Sequence, residues 1–140
     1  MVRDKWEKLR PFVIWVNALH ILLSDDFDTI NKGAVAEIFV GCEFKKHTSD
    51  YSDNELYSWV REKKNATAQV DFVIQCGENI IPVEVKSGKQ GKMQSMWLFL
   101  EEKKSNYGIR TSLENFGQYD KIKVFPLYAI GKAITDKTCP

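Results

Sequence analysis

Val70-Asp71-Phe72-Val73-Ile74-Gln75-Cys76-Gly77-Glu78-Asn79-Ile80-Ile81-Pro82-Val83-Glu84-Val85-Lys86 is the stretch on which the fold turns. Two runs rich in Val, Ile and Phe flank Cys76-Gly77-Glu78-Asn79, which reads as a hairpin loop. The spacing predicts an antiparallel pair of strands over 70–75 and 80–86. With the loop centred between Gly77 and Glu78, Gln75 faces Ile80 and Asp71 faces Glu84. Side chains alternate across a strand, so Lys86 shares the face of Glu84, and one patch holds Asp71, Glu84 and Lys86. The other face holds Val70, Phe72, Ile74, Ile81, Val83 and Val85 and packs into a core.

Two carboxylates placed opposite each other repel unless something compensates. Magnesium (or manganese) is a natural compensator, because it takes a few carboxylates and keeps several of its waters. Lys86 is then placed to hold an attacking water or to offset charge building on a phosphate. The bland alternative is an exposed sheet face carrying a solvated salt bridge, the ordinary fate of a Glu-x-Lys pair. A further acid tips the balance toward a site, and it comes from the helix expected over about 31–44. Val35, Ile38, Phe39 and Cys42 recur there at the spacing of one buried face. The opposite stripe, Ala34, Glu37, Gly41 and Phe44, is small or apolar except for Glu37. Glu37 is therefore the odd residue on an otherwise buried helix.

Further out, residues 11–23 are apolar nearly all round, with Pro11 suited to a first helical turn. Residues 56–60 read as another strand. Met93, Met96, Trp97 and Leu100 mark an amphipathic helix ending near Lys103-Lys104, where the positive charge favours a helix C-terminus. Two more strands are expected near 107–113 and 122–128. Helix, helix, three strands, helix and a strand pair make an α/β or α+β protein built around a mixed sheet flanked by helices. The expected organisation is a single domain over residues 1–140, with N-terminal helices over 1–45 and a sheet core with its crossing helix over 54–134.

A chain of 140 residues holds one ordinary domain. With 44% hydrophobic and 28% charged residues it has the makings of a core and is not of a disordered type. Lys and Arg number 20 and Asp and Glu 19, leaving +1, which excludes a polybasic histone-like protein but not a local phosphate-binding patch. Cys42, Cys76 and Cys139 form no CxxC pair, and with only His20 and His47 besides, a structural zinc site has no support. Reduced thiols and a cytoplasmic location are the simpler expectation. No run reaches the ~18 apolar residues of a membrane helix, so no membrane partner is expected.

Other cues are weaker. Lys89 and Lys92 follow the acids and suit a nucleic-acid backbone, though surface lysines more often serve solubility. Gly88-Lys89-Gln90-Gly91-Lys92 lacks the spacing and hydroxyl of a nucleotide-binding P-loop. Trp59, Trp97, Met93 and Met96 read as core, and His20 as a hydrogen-bonded core residue. No serine or cysteine stands at a telling distance from a histidine, so nucleophilic catalysis has no support.

A helix glutamate, a strand aspartate and Glu-x-Lys on the next strand resemble the PD-(D/E)XK nuclease superfamily. More narrowly, Asn31-Lys32-Gly33-Ala34-Val35-Ala36-Glu37, Leu56-Tyr57-Ser58-Trp59, Val70 to Ile74, Ile81 to Gly88 and Pro126-Leu127-Tyr128 resemble the C-terminal domain of unknown function attached to prokaryotic AAA-type ATPases. The likeness covers about residues 13–134. It implies a restriction-endonuclease-like fold in which Asp71 and Glu84 bind magnesium, Lys86 assists the water and Glu37 contributes to the metal site. Gln94 is a candidate auxiliary polar group. No P-loop precedes residue 31, which departs from the ATPase-bearing pattern. The leading expectation is a metal-dependent nuclease-like domain that hydrolyses phosphodiester bonds in nucleic acid, DNA first, with a homodimer suited to cutting two strands. Its rivals are a non-catalytic docking or nucleic-acid-binding module serving an AAA-type ATPase in cis or trans, and a purely structural ion-pair cluster.

Overall fold

The computed structural model describes residues 3–9, 32–47, 56–63, 66–88 and 92–135. Its strands are β1 (Arg3–Leu9), β2 (Leu56–Lys63), β3 (Ala66–Cys76), β4 (Asn79–Val85), β5 (Gly108–Ser112), β6 (Gly117–Tyr119) and β7 (Ile122–Pro126). They form one seven-stranded sheet in the order β1-β2-β3-β4-β5-β7-β6. The helices are α1 (Lys32–Lys46), α2 (Gln94–Lys103) and α3 (Lys132–Thr135), with a 3₁₀ turn at Leu127–Ala129. The mixed α/β architecture expected from the sequence is therefore present. The expected helix over 11–23, with His20, lies outside the described residues.

The central hairpin follows the expected register, with Gln75 opposite Ile80 and Ile74 opposite Ile81. The loop is tighter than expected, because Cys76 and Asn79 pair and leave Gly77 and Glu78 to turn. Gly77 has φ +61°, a left-handed conformation that its missing Cβ allows at little cost. From β4 the chain crosses over through α2 and returns as β5 parallel to β4, the connection that parallel pairing requires.

Helices cover both faces of the sheet. On one face Ala36, Val40 and Phe44 of α1 pack against Phe72, Ile81, Val83 and Val85, with Phe44 and Phe72 edge-to-face at 5.6 Å. Val73 alternates to the other face, where Val70 and Trp59 meet Phe99 of α2, the two rings edge-to-face at 5.2 Å. The approach of α2 to β5 is close at Gly108, where a Cβ would stand 2.5 Å from Met96 Sδ.

Several expectations need correction. The buried face of α1 is Ala36, Val40, Gly41 and Phe44, whereas Val35 and Phe39 of the expected face are 39% and 41% exposed and Cys42 is exposed. Both stripes are apolar, and the one with the small residues lets the helix lie closer to the sheet. Within the segment expected to hold only helices, Arg3–Leu9 is an edge strand antiparallel to β2. Its charged sequence has little strand propensity, and pairing with the open edge of β2 decides its state. The short strand β6 was likewise not expected. Trp97 is 38% exposed rather than core. Cys42 is a free thiol, but Cys76 is disulfide-bonded, so the three thiols are not all reduced.

Candidate functional site

Asp71 sits where the sheet is irregular. Trp59 pairs with Val70 and Tyr57 with Val73, so β3 spends three steps against two on β2. This bulge falls on Asp71 and Phe72, and a bulge re-aims the side chains it carries. On the other side the β3–β4 ladder runs from Phe72–Val83 to Cys76–Asn79 and does not include an Asp71–Glu84 backbone pair. Instead Asp71 Oδ2 accepts the Val85 N–H at 2.8 Å. The side chain takes the place of a backbone acceptor and fixes the carboxylate beside the end of β4. Asp71 is thus brought to the Glu84 region, though not by the direct cross-strand pairing expected.

Glu84 is 7% exposed, an unusual position for a carboxylate. Lys86, two residues on along the same face, donates from Nζ to Glu84 Oε1 at 2.5 Å. Glu84 Oε2 is buried with no hydrogen-bond partner. A buried oxygen of this kind costs free energy unless something else binds it. The backbone past β4 is held as well, the Lys86 N–H donating to the Thr111 carbonyl at 2.9 Å.

The electrostatics tie these groups together. Burial raises the Glu84 carboxyl above the ordinary glutamate range, and Asp71 raises it further against the opposing pull of Lys86 and Arg110. Burial likewise raises Asp71, opposed by the Val85 hydrogen bond and by Lys86. Glu37, on the sheet-facing stripe of α1, is raised by burial first, then by Asp71 and Glu84. As a whole residue Glu37 is exposed, so solvent screens part of that repulsion. Asp71 and Glu84 thus act on Glu37, Asp71 acts on Glu84, and Lys86 opposes the rise of all three acids. Among the described residues, no three His, Cys, Asp or Glu side chains already stand close enough to share one ion.

The sequence reading missed Arg110. It lies beside Glu84 in the β4–β5 register, is 4% exposed, and its charge draws the Glu84 carboxyl down. Glu114 Oε2 stands 3.1 Å from Arg110 Nε. A charged residue inside Gly108–Ser112, where every residue is buried, was the available signal. Of the remaining candidates, Lys92 and Gln94 are exposed near the start of α2, and Lys89 lies outside the described residues.

A mixed sheet that gathers the carboxylates of Asp71 and Glu84 and the ammonium of Lys86 where β3 meets β4 defines an α/β domain with an acidic cluster beside a lysine. The model of the domain of unknown function DUF4143 matches residues 32–130, and the chain belongs to that family. This agrees with the narrower of the two resemblances read from the sequence. No curated protein matches the chain. Among the described residues, no helix is long and apolar enough to cross a membrane.

Proposed function

We propose that this domain is a metal-dependent phosphodiesterase of the PD-(D/E)XK type acting on nucleic acid, with DNA the first substrate to test. The observation that carries the reading is the buried Glu84 Oε2 without a partner, on a carboxyl that burial and then the nearby Asp71 push above the ordinary glutamate range. Carboxylates are hard oxygen donors that fit magnesium or manganese. Asp71 and Glu84 are the residues to hold the ion, with Glu37 adding a third carboxylate from α1. When bound, the ion supplies Lewis acidity that makes water nucleophilic and offsets phosphate charge.

The chain's own groups do the rest. The Val85 N–H fixes the Asp71 carboxylate through Oδ2, and Oδ1 takes no part in that bond. Lys86 Nζ stands on Glu84 Oε1, and a small rotation of its flexible stem brings the ammonium to a phosphate oxygen or water. Arg110 keeps positive charge next to Glu84 from the neighbouring strand. The test is cleavage of plasmid and single-stranded DNA with magnesium or manganese by wild type, Asp71→Ala and Glu84→Ala. Each substitution is expected to reduce the rate by at least about a hundredfold while circular dichroism stays unchanged. Full activity in both variants overturns the proposal.

The Lys86–Glu84 contact also favours a second reading, a non-catalytic docking or nucleic-acid-binding module that works with an AAA-type ATPase. There the cluster is a finished ion pair. Binding of DNA or of the ATPase then survives both substitutions.

A further inference from the structure

We propose that the cleft between the outward side of α1 and the Leu127–Ala129 turn is a nucleobase site, which receives an unpaired base of a single-stranded or frayed nucleic acid next to the acidic cluster. The inference rests on the phosphodiesterase reading and names its substrate class.

The face of α1 that the sequence marks as apolar does not join the core. Val35 and Phe39 are 39% and 41% exposed, and Tyr128 is 76% exposed. These residues border a cleft of about 370 Å³, together with Lys32, Ser87 and Leu127. The volume suits a small planar ligand group. The cleft wall adjoins the candidate site at two places along the chain. Ala36, also in its wall, precedes Glu37, and Ser87 follows Lys86 directly. The proposed base site therefore neighbours the acids and the lysine along the chain.

The chemistry of the lining selects the occupant. Two aromatic rings and aliphatic walls fit the face of a base, and stacking on aromatic side chains is how proteins hold unpaired bases without reading sequence. Lys32 in the wall, and Lys86 next to Ser87 in the chain, supply positive charge for the phosphates that flank such a base. A continuous duplex keeps its bases stacked inside and has nothing to place in the cleft.

The test uses the full chain with calcium, so that binding is read without turnover. The probe is a short single-stranded oligonucleotide carrying a fluorescent adenine analogue, whose emission falls when it stacks. Wild type and Tyr128→Phe are expected to bind with quenching. Tyr128→Ala and Phe39→Ala should each weaken binding by about tenfold and lose the quench, with melting temperature unchanged. Binding of the blunt duplex should not respond to either change. Equal affinity and quenching in Tyr128→Ala overturns the base site. So does a wild-type dimer in sedimentation that either alanine variant dissociates, because a second copy then owns the face. Tyr128-dependent quenching without any metal-dependent cleavage overturns the phosphodiesterase reading and leaves the base site standing. Cleavage that needs Asp71 and Glu84 but not Tyr128 or Phe39 does the reverse.

Discussion

Lys86 is the residue at which the catalytic and structural readings part. Its ammonium donates to a carboxylate that is almost fully buried and that carries a second oxygen without a partner. Removing the charge in Lys86→Met leaves Glu84 with Arg110 as its cationic neighbour, and the carboxyl moves further up. At neutral pH this should cost about 1.5–3 kcal/mol, the range for a hydrogen bond to a charged group, measured by urea unfolding. The deficit should shrink as pH falls through the carboxylate range, because the Lys86–Glu84 attraction exists only while Glu84 is ionised. Adding Glu84→Gln should then restore most of the stability, since neither an unpaired charge nor an unpaired ammonium remains. A structural cluster regains its whole role in that double variant. A catalytic one regains stability and no cleavage, and a double variant that cleaves would end the catalytic assignment.

At the scale of elements, α1 offers a direct test of which stripe faces the sheet. Phe44 is fully buried against Phe72, so Phe44→Ala should lose about 3–5 kcal/mol in chemical unfolding. Phe39→Ala should change stability by less than about 0.5 kcal/mol, as expected of an exposed position. Similar costs for the two would mean that the helix is turned over. The same helix shows where the sequence was legible and where it was not. The β3–β4 hairpin could be read in register as far as Phe72, because a turn and a strict period of two bury Phe72, Ile81 and Val83 together. Beyond Phe72 the bulge puts Val70 on the opposite face from the one expected. Helix α1 has two apolar stripes, and periodicity alone cannot choose between them. Glu37 held the answer, since its stripe also carries Gly41 and Phe44, which pack inward. The bulge at Asp71 leaves no trace in composition, because Val70, Phe72 and Val73 are buried whichever side they face. The residues of the cluster were therefore nameable in advance, while the Asp71–Val85 bond and the Arg110 neighbour depend on strand pairing that only the assembled sheet defines.

For the whole molecule, the acids make stability a function of pH and of divalent metal together. Asp71, Glu84 and Glu37 all have pKa values raised in the folded protein, so the folded state holds their protons more tightly than the unfolded chain. Between the ordinary carboxylate values, about 4, and the raised ones, the folded state binds more protons, and stability falls as pH rises through that window. Once the acids are ionised the cost of burying their charge, and the repulsion that adds to it at Glu84 and Glu37, is fully felt, and a divalent cation has the most to relieve. The stabilisation from manganese should therefore grow with pH over the same window, reaching about 2.7 kcal/mol when metal stands at a hundred times its dissociation constant. Proton release on metal binding, read calorimetrically in two buffers of different ionisation enthalpy, should follow the same curve. Asp71→Asn keeps an oxygen for the Val85 N–H and removes one charge. Without metal at neutral pH it should be more stable than wild type by up to about 1 kcal/mol, and it should lose most of the manganese gain. Thermal unfolding of both proteins with manganese and with chelator, from mildly acidic to neutral pH, measures all of these at once. If wild type gains nothing from manganese at any pH and Asp71→Asn shows the same pH slope, the carboxylates are not a metal centre. The Lys86–Glu84 pair would then be a fold element that happens to lie beside a buried arginine.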